Sequence, residues 1–396
     1  MHNRKKVLII ANQSGFLFKF EMDDVHILQS MGYEVHYAAN ADDKGYYYDM
    51  DILKKEGIIF HHVKIARSPY MLKMNISALR QIKRIIKENK INLIHCHTPV
   101  GGVLGRLAPV LCCKNKPKVI YTAHGFHFYK GAPLINNIAY QAVERFLALF
   151  TDTLILINKE DYLKAKRFLL RKKTEVYQIP GIGLDLDMFT PVTFEEKRGA
   201  REGLGIGENE YFVLSVGEMN ENKNHRTVIE AIKKIKEKSL VDKDIVYGIC
   251  GDGFFREDIE QYVQKNSELE GVRFYGYQCD IKEYYAAADL TVFPSKREGL
   301  GMAGLESLAM GIPVIAADNR GTREYMKDTV NGYVCKADDV DGFINGIVSV
   351  LKMPRNEKDE MVQNCINSVG DFSKDITADL MKKIYESADK KVKIDE

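Results

Sequence analysis

Tryptophan is absent from the 396 residues, and the seven cysteines include no C-x-x-C pair. The missing Trp excludes nothing. The odd, unpaired cysteines argue against a disulfide scaffold or a zinc finger and fit reduced cytosolic thiols. No apolar run reaches the ~18 residues of a membrane span. The richest stretch, 146–157, is interrupted by Thr151, Asp152 and Thr153. Behind Arg4, Lys5 and Lys6, the run 7–11 is too short for a signal peptide. With 45% hydrophobic and 28% charged residues, the chain is neither disordered nor collagen-like.

The net charge of +2 hides an asymmetry: residues 1–186 carry +12 and the remainder −10. The basic half is expected to meet something anionic, whether nucleic acid, phospholipid or a phosphorylated substrate. Lys73, Arg80, Lys83, Arg84 and Lys87 lie on or beside one helical pattern, whose other face is Ile76, Leu79, Ile82, Ile85 and Ile86. A second basic cluster comprises Lys164, Lys166, Arg167, Arg171, Lys172 and Lys173. Both clusters read either as solvated helices or as a membrane-surface patch, with Tyr70, Met71 and Leu72 as exposed apolar neighbours. Nucleic acid is disfavoured, because aromatics do not interleave these clusters.

Short apolar runs alternate with helical periodicity. Strands are expected at 7–11, 34–38, 92–97, 119–122, 153–157 and 175–179, then at 211–216, 245–250, 272–275, 290–293 and 313–316. Pro180-Gly181-Ile182-Gly183 separates the two series and reads as a linker. The class is therefore α/β, with two doubly wound Rossmann-like domains at 1–186 and 187–371. A C-terminal helix within 372–396 would cross back to the first domain. Such sheets bind ligands at the carboxyl ends of their strands, and two facing domains would form a cleft that joins two substrates.

Four segments offer chemistry. In 293–306 a strand ends at Phe293, a loop holds Glu298, Gly299, Leu300 and Gly301, and a helix follows from Met302 through Glu306. Free amides at a helix start, with glycines beside them, form an anion seat, although ordinary α/β turns look similar. Gly217 ends a strand six residues before Lys223, which is either a phosphate partner or a solvated loop lysine. His124 sits just past a strand in Tyr121-Thr-Ala-His124-Gly. The fourth, Gly251-Asp-Gly253, reads equally as a plain turn.

Metal binding is not expected. His95 and His97 share a strand face with no further ligand nearby in sequence, and Asp185-Leu-Asp187 and Asp339-Val-Asp341 read as solvated.

Together these segments resemble the retaining glycosyltransferases of family 4, which have the GT-B fold. Glu298 and Glu306 match that family's E-x7-E motif, flanked by Phe293-Pro-Ser295, Gly311-Ile-Pro313 and Asn331-Gly332. His95-Cys-His97-Thr-Pro99, Gly105-Arg106-Leu107 and Thr122-Ala-His124-Gly-Phe look like the branch that builds bacterial capsule and exopolysaccharide. The resemblance implies a UDP-sugar as donor substrate, no cofactor, and a lipid-linked saccharide acceptor. It also implies a cytoplasmic enzyme, peripheral on the inner membrane face. Glu298, His124 and Lys223 would be catalytic. Gly217, Lys223, Tyr277, Glu298, Gly299, Leu300, Gly301, Met302 and Glu306 would bind the donor. Gly15, His97 and Arg106 would lie along the approach of acceptor and phosphate. One departure stands out: the arginine usual after the glycine is Glu218 here, so Lys296, Arg297 or Arg226 would have to supply that charge.

Overall fold

The computed structural model describes residues 4–43, 49–129, 131–168 and 174–392. Arg171, Lys172 and Lys173 of the second basic cluster lie outside them. Contacts divide the chain into Met1–Gly183 with Lys374–Glu396, and Leu184–Ser373.

The first unit runs β1 (Lys6–Gln13), α1 (Gly15–Phe20), α2 (Met22–Ser30), β2 (Glu34–Asn40), α3 (Met50–Lys55), β3 (Ile59–His62), α4 (Leu72–Asn89), β4 (Leu93–Cys96), α5 (Pro99–Cys112), β5 (Lys118–Ala123), α6 (Leu134–Ala148), β6 (Thr153–Leu156), α7 (Lys159–Phe168) and β7 (Glu175–Gln178). Its sheet is parallel, in the order β3-β2-β1-β4-β5-β6-β7. Val7 through Ala11 are fully buried, as a central parallel strand covered on both faces must be. The order reverses direction between β1 and β4, where open α/β sheets leave a crevice for ligands.

The second unit runs α8 (Phe194–Gly203), β8 (Glu210–Val216), α9 (His225–Glu237), β9 (Asp244–Cys250), α10 (Arg256–Gln264), β10 (Val272–Gly276), α11 (Lys282–Ala287), β11 (Leu290–Phe293), α12 (Met302–Ala309), β12 (Val314–Ala317), β13 (Gly332–Cys335), α13 (Val340–Leu351) and α14 (Arg355–Asn367). Its parallel sheet has the order β10-β9-β8-β11-β12-β13. The last helix, α15 (Lys374–Asp389), belongs to the first unit. There Tyr385 donates to Asp24 at 2.8 Å, and Lys5 donates to Asp389 at 2.7 Å.

Two strands escape the sequence pattern, β3 and β13. Both are four-residue edge strands that are only partly buried, so their apolar signal is weak. In α4 the core-facing stripe is Ala78, Ile82, Ile85 and Ile86, while Ile76, expected on that stripe, is exposed. No described helix is long and apolar enough to cross a membrane.

Candidate active site

In the second unit the decisive side chains come from the carboxyl ends of neighbouring strands. β11 ends at Phe293, and its loop returns to α12 through Gly301. Gly301 has φ +95°, and a Cβ there would stand 2.7 Å from the Phe293 ring. Glycine is therefore required on both conformational and steric grounds, and it leaves the first amides of α12 without a side-chain cap. After β8, Gly217 lies beside the stem of Lys223, whose Cδ would stand 3.3 Å from a Cβ added at Gly217. The Lys223 ammonium donates to Oε1 of Glu298 at 2.7 Å and lies 5.2 Å from the Phe293 ring centre. The two loops are laced together: Lys296 N–H donates to Asn222 O, and Asn222 Nδ2 donates to Arg297 O.

Glu306 projects from the second turn of α12 and accepts a hydrogen bond from the Tyr285 hydroxyl at 2.9 Å. Burial and then Glu306 push the Tyr285 phenol well above its ordinary range. Tyr325 donates to Gly301 O, and its phenol is raised by burial and then by Glu298 and Glu306. Two acidic side chains thus flank a glycine-lined helix start, one paired with a cation and the other held by a phenol. Arg320 is buried and donates to Glu298 O at 3.2 Å. Gly321 lets that turn pack against the loop, since a Cβ there would meet Leu300 O at 2.7 Å.

In the first unit a second polar cluster gathers at the carboxyl ends of β1, β4 and β5. Nδ1 of His97 lies 3.2 Å from Glu21 Oε1 and 3.2 Å from Nε2 of His124, while His124 Nε2 lies 3.6 Å from Glu21. Behind them, His95 contacts the Tyr385 hydroxyl at 2.7 Å and the Thr122 hydroxyl at 2.8 Å. Because Tyr385 donates to Asp24, His95 donates through Nδ1 and accepts from Thr122 at Nε2. Burial pushes His95 down to about 3 and His124 down to about 4. Burial raises Asp24 to about 6, and raises Glu21 with help from Asp24. Glu21, Asp24, Thr122 and His124 line a cavity that Phe20 and Met381 also border.

Two family models match the chain: "Glycosyl transferase 4-like" over residues 6–158 and "Glycosyl transferases group 1" over 196–368. EpsD of Bacillus subtilis, named as a glycosyltransferase, is 38% identical over 350 residues, 88% of either chain. This chain belongs to the family 4 glycosyltransferases. An Escherichia coli UDP-Gal:α-D-GlcNAc-diphosphoundecaprenol α-1,3-galactosyltransferase is 30% identical over 305 residues, covering 74% of this chain and 76% of its own. The fold is GT-B. Sucrose-phosphate synthase from Thermosynechococcus elongatus superposes with a TM-score of 0.79 at 20% identity, over 98% of this chain and 100% of that one. Anabaena Alr3699/HepE, solved in complex with UDP and glucose, gives 0.76 at 17% identity, over 97% and 100%.

The residues expected to act in this glycosyltransferase fall into distinct places. Lys223, Glu298, Gly299, Leu300, Gly301, Met302 and Glu306 share one end of the second sheet, with Gly217 beside the lysine stem. Tyr277 stands apart: it follows β10, at the far edge of the sheet, half exposed and without a hydrogen bond to either glutamate. Gly15 opens α1 and is buried. His97 and His124 join the first-unit cluster. Arg106 requires a correction. Its guanidinium is buried, donates to Glu144 at 2.7 Å and to Gly102 O at 2.8 Å, and lies 3.9 Å from the Tyr121 ring centre. It is a core residue of α5 rather than a group on a substrate approach.

Glu218 is exposed, and two of the candidate replacement charges have partners of their own. Arg226 stacks on Tyr262, and Lys296 pairs with Glu221 at 3.4 Å. Sequence reasoning missed Arg320, Tyr285, Tyr325 and Glu21. Each reaches its cluster from a different element, which no local spacing announces. Asp185 and Asp339 are local caps, accepting from Asp187 N–H and Gly342 N–H.

Proposed function

We propose that this glycosyltransferase moves a hexosyl or N-acetylhexosaminyl group from a UDP-sugar to a polyprenyl-diphosphate-linked saccharide, with retention of configuration, during capsule or exopolysaccharide synthesis. The observation that carries the reading is the Lys223–Glu298 pair at the uncapped start of α12. A diphosphate seated there would take the first α12 amides and the Lys223 ammonium as its counter-charge. Glu298 would then turn to the sugar hydroxyls and Glu306 to the ribose. His124 would lie at the sugar's reacting side. The anomeric bond to phosphate breaks on the face where the acceptor oxygen bonds, and the acceptor's proton passes to the leaving phosphate. No metal ion at the diphosphate is required by this arrangement. The printed acceptor of the Escherichia coli relative supports a diphosphate-linked lipid as the second substrate.

Such an acceptor places the enzyme on the inner face of the membrane, and the first unit offers a surface suited to that. Tyr70, Met71, Leu72 and Ile76 are exposed beside Lys73, Arg80, Arg84 and Lys87. Helix α6 exposes Leu134, Ile135, Ile138 and Phe146. The combination of apolar and cationic side chains suits an anionic lipid interface.

The test incubates the purified chain with a panel of UDP-sugars, with and without a synthetic polyprenyl-diphosphate saccharide. A new disaccharide whose anomeric proton coupling matches the donor's configuration is expected. Donor isomerised without acceptor would make the chain an epimerase. Donor bound but never transferred would make it a binding protein.

A further inference from the structure

The cluster in the first unit has a geometry that hydrogen bonding explains poorly. Nδ1 of His97 carries either one proton or one lone pair, yet it has two neighbours, Glu21 Oε1 and His124 Nε2, both at 3.2 Å. The third side of the triangle is 3.6 Å. Corners so spaced share a point about 2 Å from each, which is the Zn–N and Zn–O bond length. An ideal tetrahedron with arms of ~2.05 Å has edges of ~3.3 Å, so the three donors trace one face of it.

Glu21 is buried, with the His97 and His124 imidazoles at 3.2 and 3.6 Å from its Oε1. The three ligands come from separate segments: the α1–α2 junction, the end of β4 and the end of β5. β4 and β5 are adjacent strands, and β4 flanks the sheet's switch point. Thr98, directly after His97, is held at φ +61°, a strained conformation for a β-branched residue.

We propose that Glu21, His97 and His124 bind one divalent transition-metal ion, zinc by its chemistry, with the remaining coordination position open to the cavity that Glu21 and His124 line. Two imidazoles and one carboxylate select zinc, cobalt or nickel over magnesium or calcium. Three protein ligands with an open corner are the pattern of a site that accepts a water or a substrate hydroxyl oxygen. All three ligands belong to the unit Met1–Gly183 with Lys374–Glu396.

The test uses tag-free full-length protein, stripped with a chelator and titrated with Co2+. The wild type is expected to take up one saturable equivalent and to develop the intense visible absorption of four-coordinate cobalt. His97→Ala and His124→Ala are each expected to lose that band, whereas His26→Ala, on the surface beside Glu56, keeps it. Should the alanine variants fail to fold, the wild type alone decides. Zinc is expected to raise its melting temperature in a saturable way, and magnesium at the same concentration is not. Absence of a four-coordinate cobalt spectrum together with no zinc-dependent stabilisation would overturn the site. Equal uptake by a folded His124→Ala variant would overturn it too. Neither readout depends on sugar transfer, so a chain that transfers sugar without binding metal rejects this inference alone. A chain that binds cobalt but transfers nothing rejects the proposed reaction alone.

Discussion

Lys223 and Glu298 are 75 residues apart in sequence, yet their charged ends meet at 2.7 Å. They occupy loops leaving β8 and β11, adjacent strands in the sheet, so the fold brings them together at the carboxyl ends. The pair is partly exposed and contributes little to stability, ~0–1 kcal/mol. Its value lies in a pre-positioned ammonium beside an uncapped helix start.

Replacing Glu298 with Ala is expected to lower turnover by about 10²-fold or more while the melting temperature stays within a few degrees of wild type. Lys223→Ala should fall by a similar factor, with weakened binding of the donor. Steady-state kinetics and a thermal melt check both. Near-normal turnover in Glu298→Ala would remove that carboxylate from the mechanism.

Arg106→Met should act on stability instead of catalysis. It leaves Glu144 without its buried partner, at a cost of about 3–5 kcal/mol. Urea unfolding is expected to show that loss, and the double variant Arg106→Met with Glu144→Met should recover much of it. A stable Arg106→Met protein with a selectively raised KM for acceptor would return Arg106 to the substrate path.

These two cases mark what was legible in the chain. The strand rhythm announced most of both sheets, because buried parallel strands must be continuously apolar and helices on them must repeat at 3.6. Glu298 and Glu306 were legible because both lie within one strand–loop–helix segment. Tyr285, Tyr325 and Arg320 were not, since each comes from a different element and carries no local signature. Arg106 was expected on the approach of acceptor and phosphate through the family resemblance, because a sequence motif hides its partner Glu144, 38 residues further on. The same blindness hid the histidine cluster. His95 and His97 seemed to lack partners in sequence, while Glu21 waits at the α1–α2 junction and His124 at the end of the neighbouring strand β5.

Acid should expose the buried histidine of the second unit. His225 is buried beside Ser215, and burial pushes its imidazole down to about 4. The folded state therefore disfavours the protonated form. Stability from this residue is complete above its unfolded pKa near 6.5 and is lost as pH falls toward 4. Between pH 7 and pH 5 its share of the loss is about 2 kcal/mol. His225→Asn, which keeps a polar group near Ser215, should lose that much less than wild type in urea titrations at the two pH values. Parallel losses in both proteins would contradict the assignment.

Membrane docking through the first unit should depend on both kinds of side chain. Flotation with vesicles containing anionic lipid is expected to recover the wild type and to recover less at high salt. Ile135→Ser with Phe146→Ser should weaken flotation without altering the melt, as both side chains are exposed. Arg80→Glu with Arg84→Glu should abolish the preference for anionic lipid. Indifference to lipid charge in the wild type would defeat the electrostatic part of the reading.

The most direct test of the central claim is a crystal structure of the chain soaked with UDP. The diphosphate is expected within hydrogen-bond distance of the Lys223 ammonium and the first amides of α12, with the ribose hydroxyls at Glu306. Density for UDP remote from Gly299, Gly301 and Glu306 would contradict the account.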